Sequence, residues 1–312
     1  MGGREELTWT AEMTLSHLAH GGDRDAAALF ARLGLDEERI VDSPATMLSP
    51  EYRLARTVFL HVRQQAMDAL AALTEASLFV DMPCGLSPRG LRFARAGRPY
   101  LGVDLPPVIE RIEAAAPSLL REEERPFLRY VAADATDPDA LLSALTQSRK
   151  GGPAAGNGPL CILTEGLLMY FTQAETERLC QGIGQMLSLT GGYWISADPE
   201  MPLQMRLLYK AICLDGFSRA ARQGILRKPV PGRQLPARPS EPSPFEIELR
   251  GDILEQIERG KAFLSGFGLK AERIPMSVLL LEPALPAGLS QHQAEAVREA
   301  LENTCCWVMT LA

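Results

Sequence analysis

The 312-residue chain carries 32 Lys and Arg against 39 Asp and Glu, a formal net charge of −7 at pH 7, with 46% hydrophobic and 23% charged residues. That is the balance of a globular chain long enough to bury a large core, and its acidity argues against nucleic acid as the main partner, because such binding depends on Lys and Arg neutralising phosphates. No apolar run approaches the ~20 residues that span a bilayer, and residues 1–6 lack the apolar core of a secretory signal.

Residues 7–73 read as helical. Ser49-Pro50-Glu51 is a helix start, and neither Pro nor Gly interrupts the stretch from Tyr52 to Leu73. Leu54, Val58, Val62, Met67 and Leu70 recur at roughly helical spacing, so one face packs inward. With no strand pattern before Leu78, residues 1–75 are expected to form an N-terminal helical cap on an α/β body spanning 76–312.

From there short apolar runs at 78–82, 99–103, 128–133, 159–164, 191–197, 269–274 and 305–311 alternate with helical stretches at 88–96, 106–115, 138–147, 173–188, 251–266 and 289–302. This alternation implies right-handed βαβ crossovers and a mostly parallel, doubly wound sheet. Residues 150–159 read as a Gly- and Pro-rich loop. Residues 199–245, after the fifth strand, form a larger insertion: a helical stretch at 201–214, then Pro229, Pro231, Pro236, Pro239, Pro242 and Pro244. Segments of this kind are lids or linkers, and a substrate lid is expected. Cys84, Cys161, Cys180, Cys213, Cys305 and Cys306 are scattered, without a C-x-x-C pair, mostly within apolar runs. This is the usage expected of reduced thiols in a cytoplasmic protein, with no metal site.

The chemistry-bearing residues sit where apolar runs end. The first run closes on Asp81-Met82-Pro83-Cys84-Gly85. A dinucleotide fingerprint would place G-x-G-x-x-G here, but Pro83 stands where the first glycine would be, so a pyrophosphate loop is poorly supported. S-adenosylmethionine (SAM) has no phosphate; it needs room for a methionine tail and a carboxylate for its α-ammonium. Asp81 is placed to serve that need, directly or through water; the alternative is that it only caps the turn. Asp104 ends the second run, before Leu105, and can accept from both hydroxyls of a ribose or else N-cap the helix beginning at Pro106-Pro107. Asp134 ends the third run, where a carboxylate can accept from an adenine amino group while the Ala135 N–H donates to the ring; the alternative is a turn-forming Asp. Glu165 follows the fourth run, next to the topological switch point where open α/β sheets bind ligands. Burying it is costly unless it is paired, and a cationic cofactor is a natural partner.

Together these stretches resemble class I SAM-dependent methyltransferases, and more narrowly the leucine carboxyl methyltransferase family with its polyketide-associated O-methyltransferase branch. The resemblance rests on Cys84-Gly85-Leu86-Ser87-Pro88-Arg89-Gly90, Val103-Asp104-Leu105-Pro106 and Glu165-Gly166-Leu167-Leu168-Met169-Tyr170, and covers residues 50–200. It implies a seven-stranded Rossmann-like sheet with a helical cap, SAM as cofactor, and carboxyl or hydroxyl methylation. It also implies a cap-helix arginine on the SAM carboxylate; Ala55-Arg56-Thr57 matches that position, with Arg53 as a competing neighbour. Pro83 in place of a usual glycine departs from the family pattern, and the insertion does not align.

Methyl transfer is an in-line displacement in which orientation supplies much of the catalysis. A carboxylate acceptor is already ionised at neutral pH, whereas a phenol would gain from a base. The only histidines are His17, His20, His61 and His292, none in a strand-end motif. The expected activity is therefore O-methylation of a small or carrier-bound acid, with Tyr170 as a possible participant. The competing readings are a non-catalytic SAM-binding module and a nicotinamide-dependent oxidoreductase. Arg219, Arg222, Arg227, Lys228, Arg233 and Arg238 crowd the insertion without an acidic residue among them, which would attract an anionic substrate or an acidic carrier.

Overall fold

Seven strands form one sheet: β1 (Leu78–Asp81), β2 (Tyr100–Asp104), β3 (Leu128–Ala132), β4 (Leu160–Thr164), β5 (Gly192–Ser196), β6 (Leu269–Pro275) and β7 (Cys305–Leu311). They lie in the order β3-β2-β1-β4-β5-β7-β6. Strands β1 to β5 pair in parallel, and β7 runs antiparallel to both β5 and β6. The computed structural model describes residues 2–36, 50–150, 158–213, 247 and 251–312. The expected mostly parallel, seven-stranded α/β sheet is therefore present.

The inner strands read as unbroken apolar runs because helices cover both faces. Alternate side chains go to opposite sides. Phe79, Cys161, Leu163 and Ile195 join Leu15, Leu29 and Val58 of the N-terminal helices in one core cluster. Leu78, Val80, Ile162 and Trp194 join Leu179 and Ile183 in the other.

Among the described residues, three α-helices precede the sheet: α1 (Gly2–His20), α2 (Arg24–Arg32) and α3 (Pro50–Ala72). They agree with the helical reading of 7–73, which the structure divides into separate helices. The chain turns at Gly21 and Gly22, and Asp23 caps α2 by accepting from Asp25 N and Ala26 N. The turn needs glycine at 21, where a Cβ would lie 2.0 Å from His61 Nε2. Two buried histidines join α1 to α3: His17 Nδ1 lies 2.8 Å from Thr57 Oγ1, and His61 Nε2 lies 3.1 Å from the Leu18 carbonyl. Residues 37–49, including Ser49 of the expected helix start, lie outside the described residues.

The further α-helices among the described residues are α4 (Arg89–Arg95), α5 (Pro106–Ala115), α6 (Pro138–Ser148), α7 (Gln173–Thr190), α8 (Met201–Cys213), α9 (Ile253–Ser265), α10 (Met276–Leu279) and α11 (Gln291–Glu302). Asp137 and Asp252 cap α6 and α9, while capping boxes of Thr172 with Glu175 and Ser290 with Gln293 start α7 and α11.

The insertion begins as part of the body. Helix α8 packs on α3 and α11, with Leu208 and Tyr209 fully buried. Ile247 donates its N–H to the Pro199 carbonyl at 2.7 Å, so the segment returns to where it left. Residues 214–246 and 248–250, with all six basic side chains of the expected lid, lie outside the described residues, as does loop 151–157. All six cysteines are free thiols. No helix among the described residues is long and apolar enough to cross a membrane.

Candidate functional site

Strand β1 is flanked by β2 on one side and β4 on the other, so the chain winds away in both directions and opens a crevice at their carboxyl ends. The turn after β1 is threaded into this crevice: Met82 N donates to the Leu163 carbonyl at 2.9 Å and Cys84 N to the Val103 carbonyl at 3.0 Å. The Met82–Pro83 peptide is cis, and Gly85 has φ +53°, a left-handed conformation suited to glycine.

Gly85 N donates to Asp104 Oδ2 at 2.7 Å, and Leu105 N donates to Asp104 Oδ1 at 2.7 Å. One N–H on each oxygen fixes the carboxylate plane and leaves each oxygen a further lone pair. Burial pushes the Asp104 pKa up to about 6, against the pull of those two N–H groups. Asp104 does not cap α5, which starts from Leu105 with no side-chain cap bond. The carboxylate instead lines a cavity of about 420 Å³, within the ordinary range for small-molecule sites.

Arg56, Pro83, Gly85, Asp104, Leu105, Asp134, Ala135, Glu165 and Tyr170 all line that cavity. Asp134 accepts from Thr136 N and Thr136 Oγ1, both at 2.8 Å, so the turn and the cavity share one carboxylate. Arg56 Nη2 reaches Met13 Sδ at 3.4 Å. Burial raises the Tyr170 phenol, which keeps it a hydrogen-bond donor rather than a base.

Asp81 is placed differently from expectation. It is 1% exposed and is absent from the cavity wall. Arg89 Nη1 donates to its Oδ1 and Oδ2 at 3.0 and 2.9 Å, and the Tyr100 hydroxyl donates to Oδ2 at 2.8 Å. Burial raises the Asp81 carboxyl above the usual range, partly offset by Arg89 and Tyr100. Glu165 also finds its cation within the protein: Arg89 Nη2 donates to Oε2 at 2.7 Å, and Arg63 Nε lies 3.6 Å from Oε1. The cationic partner expected from a cofactor is thus supplied first by Arg89.

Arg89 is the centre of this network and was not legible as such. Its Nε bonds Asp68, which also holds Arg92, and Arg92 reaches Asp23 at the start of α2. Against a large desolvation cost, Asp81, Asp68 and Glu165 raise the Arg89 pKa well above its usual value, so it stays charged. Arg63 was missed in the same way. It is 1% exposed, and its Nη2 donates to Asp198 Oδ1 at 2.7 Å. Asp198 further accepts from Gly166 N, Leu167 N and Leu168 N, so it fixes the turn that carries Glu165.

The cavity is polar at the strand ends and apolar beyond them, where Phe59, Leu60, Met13, Met169, Met201 and Met205 form the wall. No histidine lines it among the described residues. His17 and His20 of the cap bond Thr57 and the Ser16 carbonyl.

No family model matches the chain, and no curated protein matches it. Among solved structures it is similar to a DUF574 family protein from Streptomyces avermitilis, with 14% identity over 91% of this chain and 95% of that one, at a TM-score of 0.49. It is similar to the glycopeptide N-methyltransferase MtfA, with 11% identity over 80% of this chain and 90% of that one, at a TM-score of 0.43. It is also similar to human N-acetylserotonin methyltransferase in complex with SAM, with 12% identity over 96% of this chain and 66% of that one, at a TM-score of 0.40.

Proposed function

We propose that the cavity binds SAM and that the chain is a methyltransferase acting on an oxygen of a small or carrier-bound acid. The observation that carries this reading is Asp104, held in plane by Gly85 N and Leu105 N at the cavity wall with lone pairs to spare for a ribose diol. Asp134 and the Ala135 N–H follow on the neighbouring strand end, where an adenine would meet an acceptor and a donor. Arg56 takes the α-carboxylate of the methionine tail. Glu165 receives the α-ammonium, because Asp81 is turned to Arg89 and acts through it as a positioning residue.

When bound, the cofactor supplies an electrophilic methyl group on a sulfonium. The chain's own contribution is orientation and a dry wall. The absence of histidine from the described cavity wall favours an acceptor that needs no base, which a carboxylate is at neutral pH. Tyr170, held protonated, can donate to an acceptor oxygen. The finer assignment, to the leucine carboxyl methyltransferase family and its polyketide-associated branch, rests on the three motifs alone.

The test is mass spectrometry of candidate acids incubated with the protein and isotopically labelled SAM. A labelled methyl ester is the expected product. Tight SAM binding with no transfer to any acid, alcohol or amine would move the reading to a binding module.

A further inference from the structure

Helix α1 meets two different surroundings along its length. From Leu15 onward it belongs to the body. Leu15 and Leu18 are 1% exposed and join the core cluster that holds Val58 of α3. His17 Nδ1 is bonded to Thr57 Oγ1, and the Leu18 carbonyl accepts from His61 Nε2 and from Asp23 N. The stretch before Leu15 is different. Trp9 and Met13 are buried, at 6% and 5% exposure, yet belong to neither core cluster. Thr10, Ala11 and Thr14 share one helical face, and that face, with Met13, lines the cavity. A Cβ at Gly85 would lie 3.7 Å from Ala11 Cβ, so α1 lies across the turn whose N–H holds Asp104. Glu12, which is not part of the cavity wall, pairs with Arg111 of α5, the helix that starts just beyond Asp104.

We propose that residues 8–14 of α1 form a lid on the cofactor cavity, latched by the Glu12–Arg111 ion pair, and that SAM enters and S-adenosylhomocysteine (SAH) leaves when the lid lifts. This deepens the SAM reading and rests on it. The stretch from Leu15 to His20 is the fixed end. The stretch before it meets a cavity on one face instead of a packed layer, so lifting it forfeits fewer dispersion contacts than lifting the rest of the helix. A ligand in the cavity gives Thr10, Ala11, Met13 and Thr14 a surface to pack on, so it favours the closed form by that difference in contact. Opening then precedes both entry and release. Loosening the latch in the free and bound protein alike speeds both steps by one factor and leaves Kd unchanged. Loss of a residue that only touches the cofactor acts otherwise, raising the dissociation rate and Kd together.

The experiment measures SAH association and dissociation on the full chain by surface plasmon resonance, beside hydrogen exchange read by mass spectrometry. Arg111→Gln should raise both rates about two- to fivefold, the scale of a partly exposed ion pair, with Kd within twofold of wild type. Glu12→Arg alone should also speed both rates, and combining it with Arg111→Glu should restore the slow exchange. Hydrogen exchange tests the wild type without any substitution. Amides of residues 8–14 should exchange faster than those of 15–20 in the ligand-free chain, and SAH should slow the first set more. Faster dissociation with unchanged association, identical kinetics in wild type and Arg111→Gln, or amides of 8–14 as protected without SAH as with it would overturn the lid while leaving the cofactor reading in place. A wild-type chain that binds no SAH would overturn the cofactor reading, and the lid with it.

Discussion

Asp104 joins the site's geometry to its pH dependence. Its folded pKa of about 6 stands above the ordinary 3.8 because burial penalises the charged form. The carboxylate is ionised above pH 6 and costs the fold some stability there; that cost fades as the pH falls from 6 toward 4, where the folded state binds the extra proton. Ligand binding runs the opposite way, since diol hydroxyls donate to the ionised form. SAH affinity measured by calorimetry should be flat from pH 7 to 8 and fall about tenfold by pH 5. In Asp104→Asn that dependence should vanish. Arg89 makes a different prediction. Its removal strands Asp81 and leaves Asp68 and Glu165 short of a cation, so Arg89→Met should cost about 3–5 kcal/mol in denaturant unfolding, whereas a surface change such as Arg121→Met should cost little. The acids at the strand ends could be read from the sequence because each one terminates an apolar run. Arg63 and Arg89 could not, because a basic residue in a helix ordinarily marks a solvated face, and only the sheet brings Asp198, Asp81 and Glu165 against them.

The strands and crossover helices were legible for a physical reason. Runs buried on both faces contrast sharply with capped helices, so the expected strand at 159–164 appears as Leu160–Thr164 and the helix at 173–188 as Gln173–Thr190. The cap was less legible. Its break falls at Gly21-Gly22, a turn dipeptide followed by the Asp23 cap, and the His61 ring leaves no room for a side chain at 21. The predicted helix at 201–214 was located correctly, but its place in the body comes from packing on α3 and α11 rather than from its own sequence. One element depends on a single missing side chain. Gly102 in β2 pairs with Tyr130 in β3, and a Cβ there would come within 2.5 Å of Tyr130 Cδ1 and 3.0 Å of Cys84 Sγ. Gly102→Ala should therefore overpack the floor of the site, lowering stability by about 1–3 kcal/mol in a urea melt. Because Cys84 belongs to the turn that positions Gly85, the same variant should weaken SAH binding.

At the scale of the whole molecule, the cavity draws its walls from every layer: Met13 from α1, Arg56 and Arg63 from α3, Asp104 and Glu165 from the ends of β2 and β4, and Met205 from α8. A ligand that fills it should tie the cap to the sheet. Saturation at a hundred times Kd should add roughly 2.7 kcal/mol to unfolding, read as a rise of several degrees in Tm. NAD should give no such shift, since Pro83 and Gly85 form no pyrophosphate loop. The most direct test is a calorimetric titration of SAH into the wild-type chain and into Asp104→Ala at pH 7.5. The account predicts saturable one-to-one binding to the wild type, weakened about thirtyfold in the folded variant by loss of charged hydrogen bonds. No binding to the wild type, or equal affinity in both proteins, would contradict it.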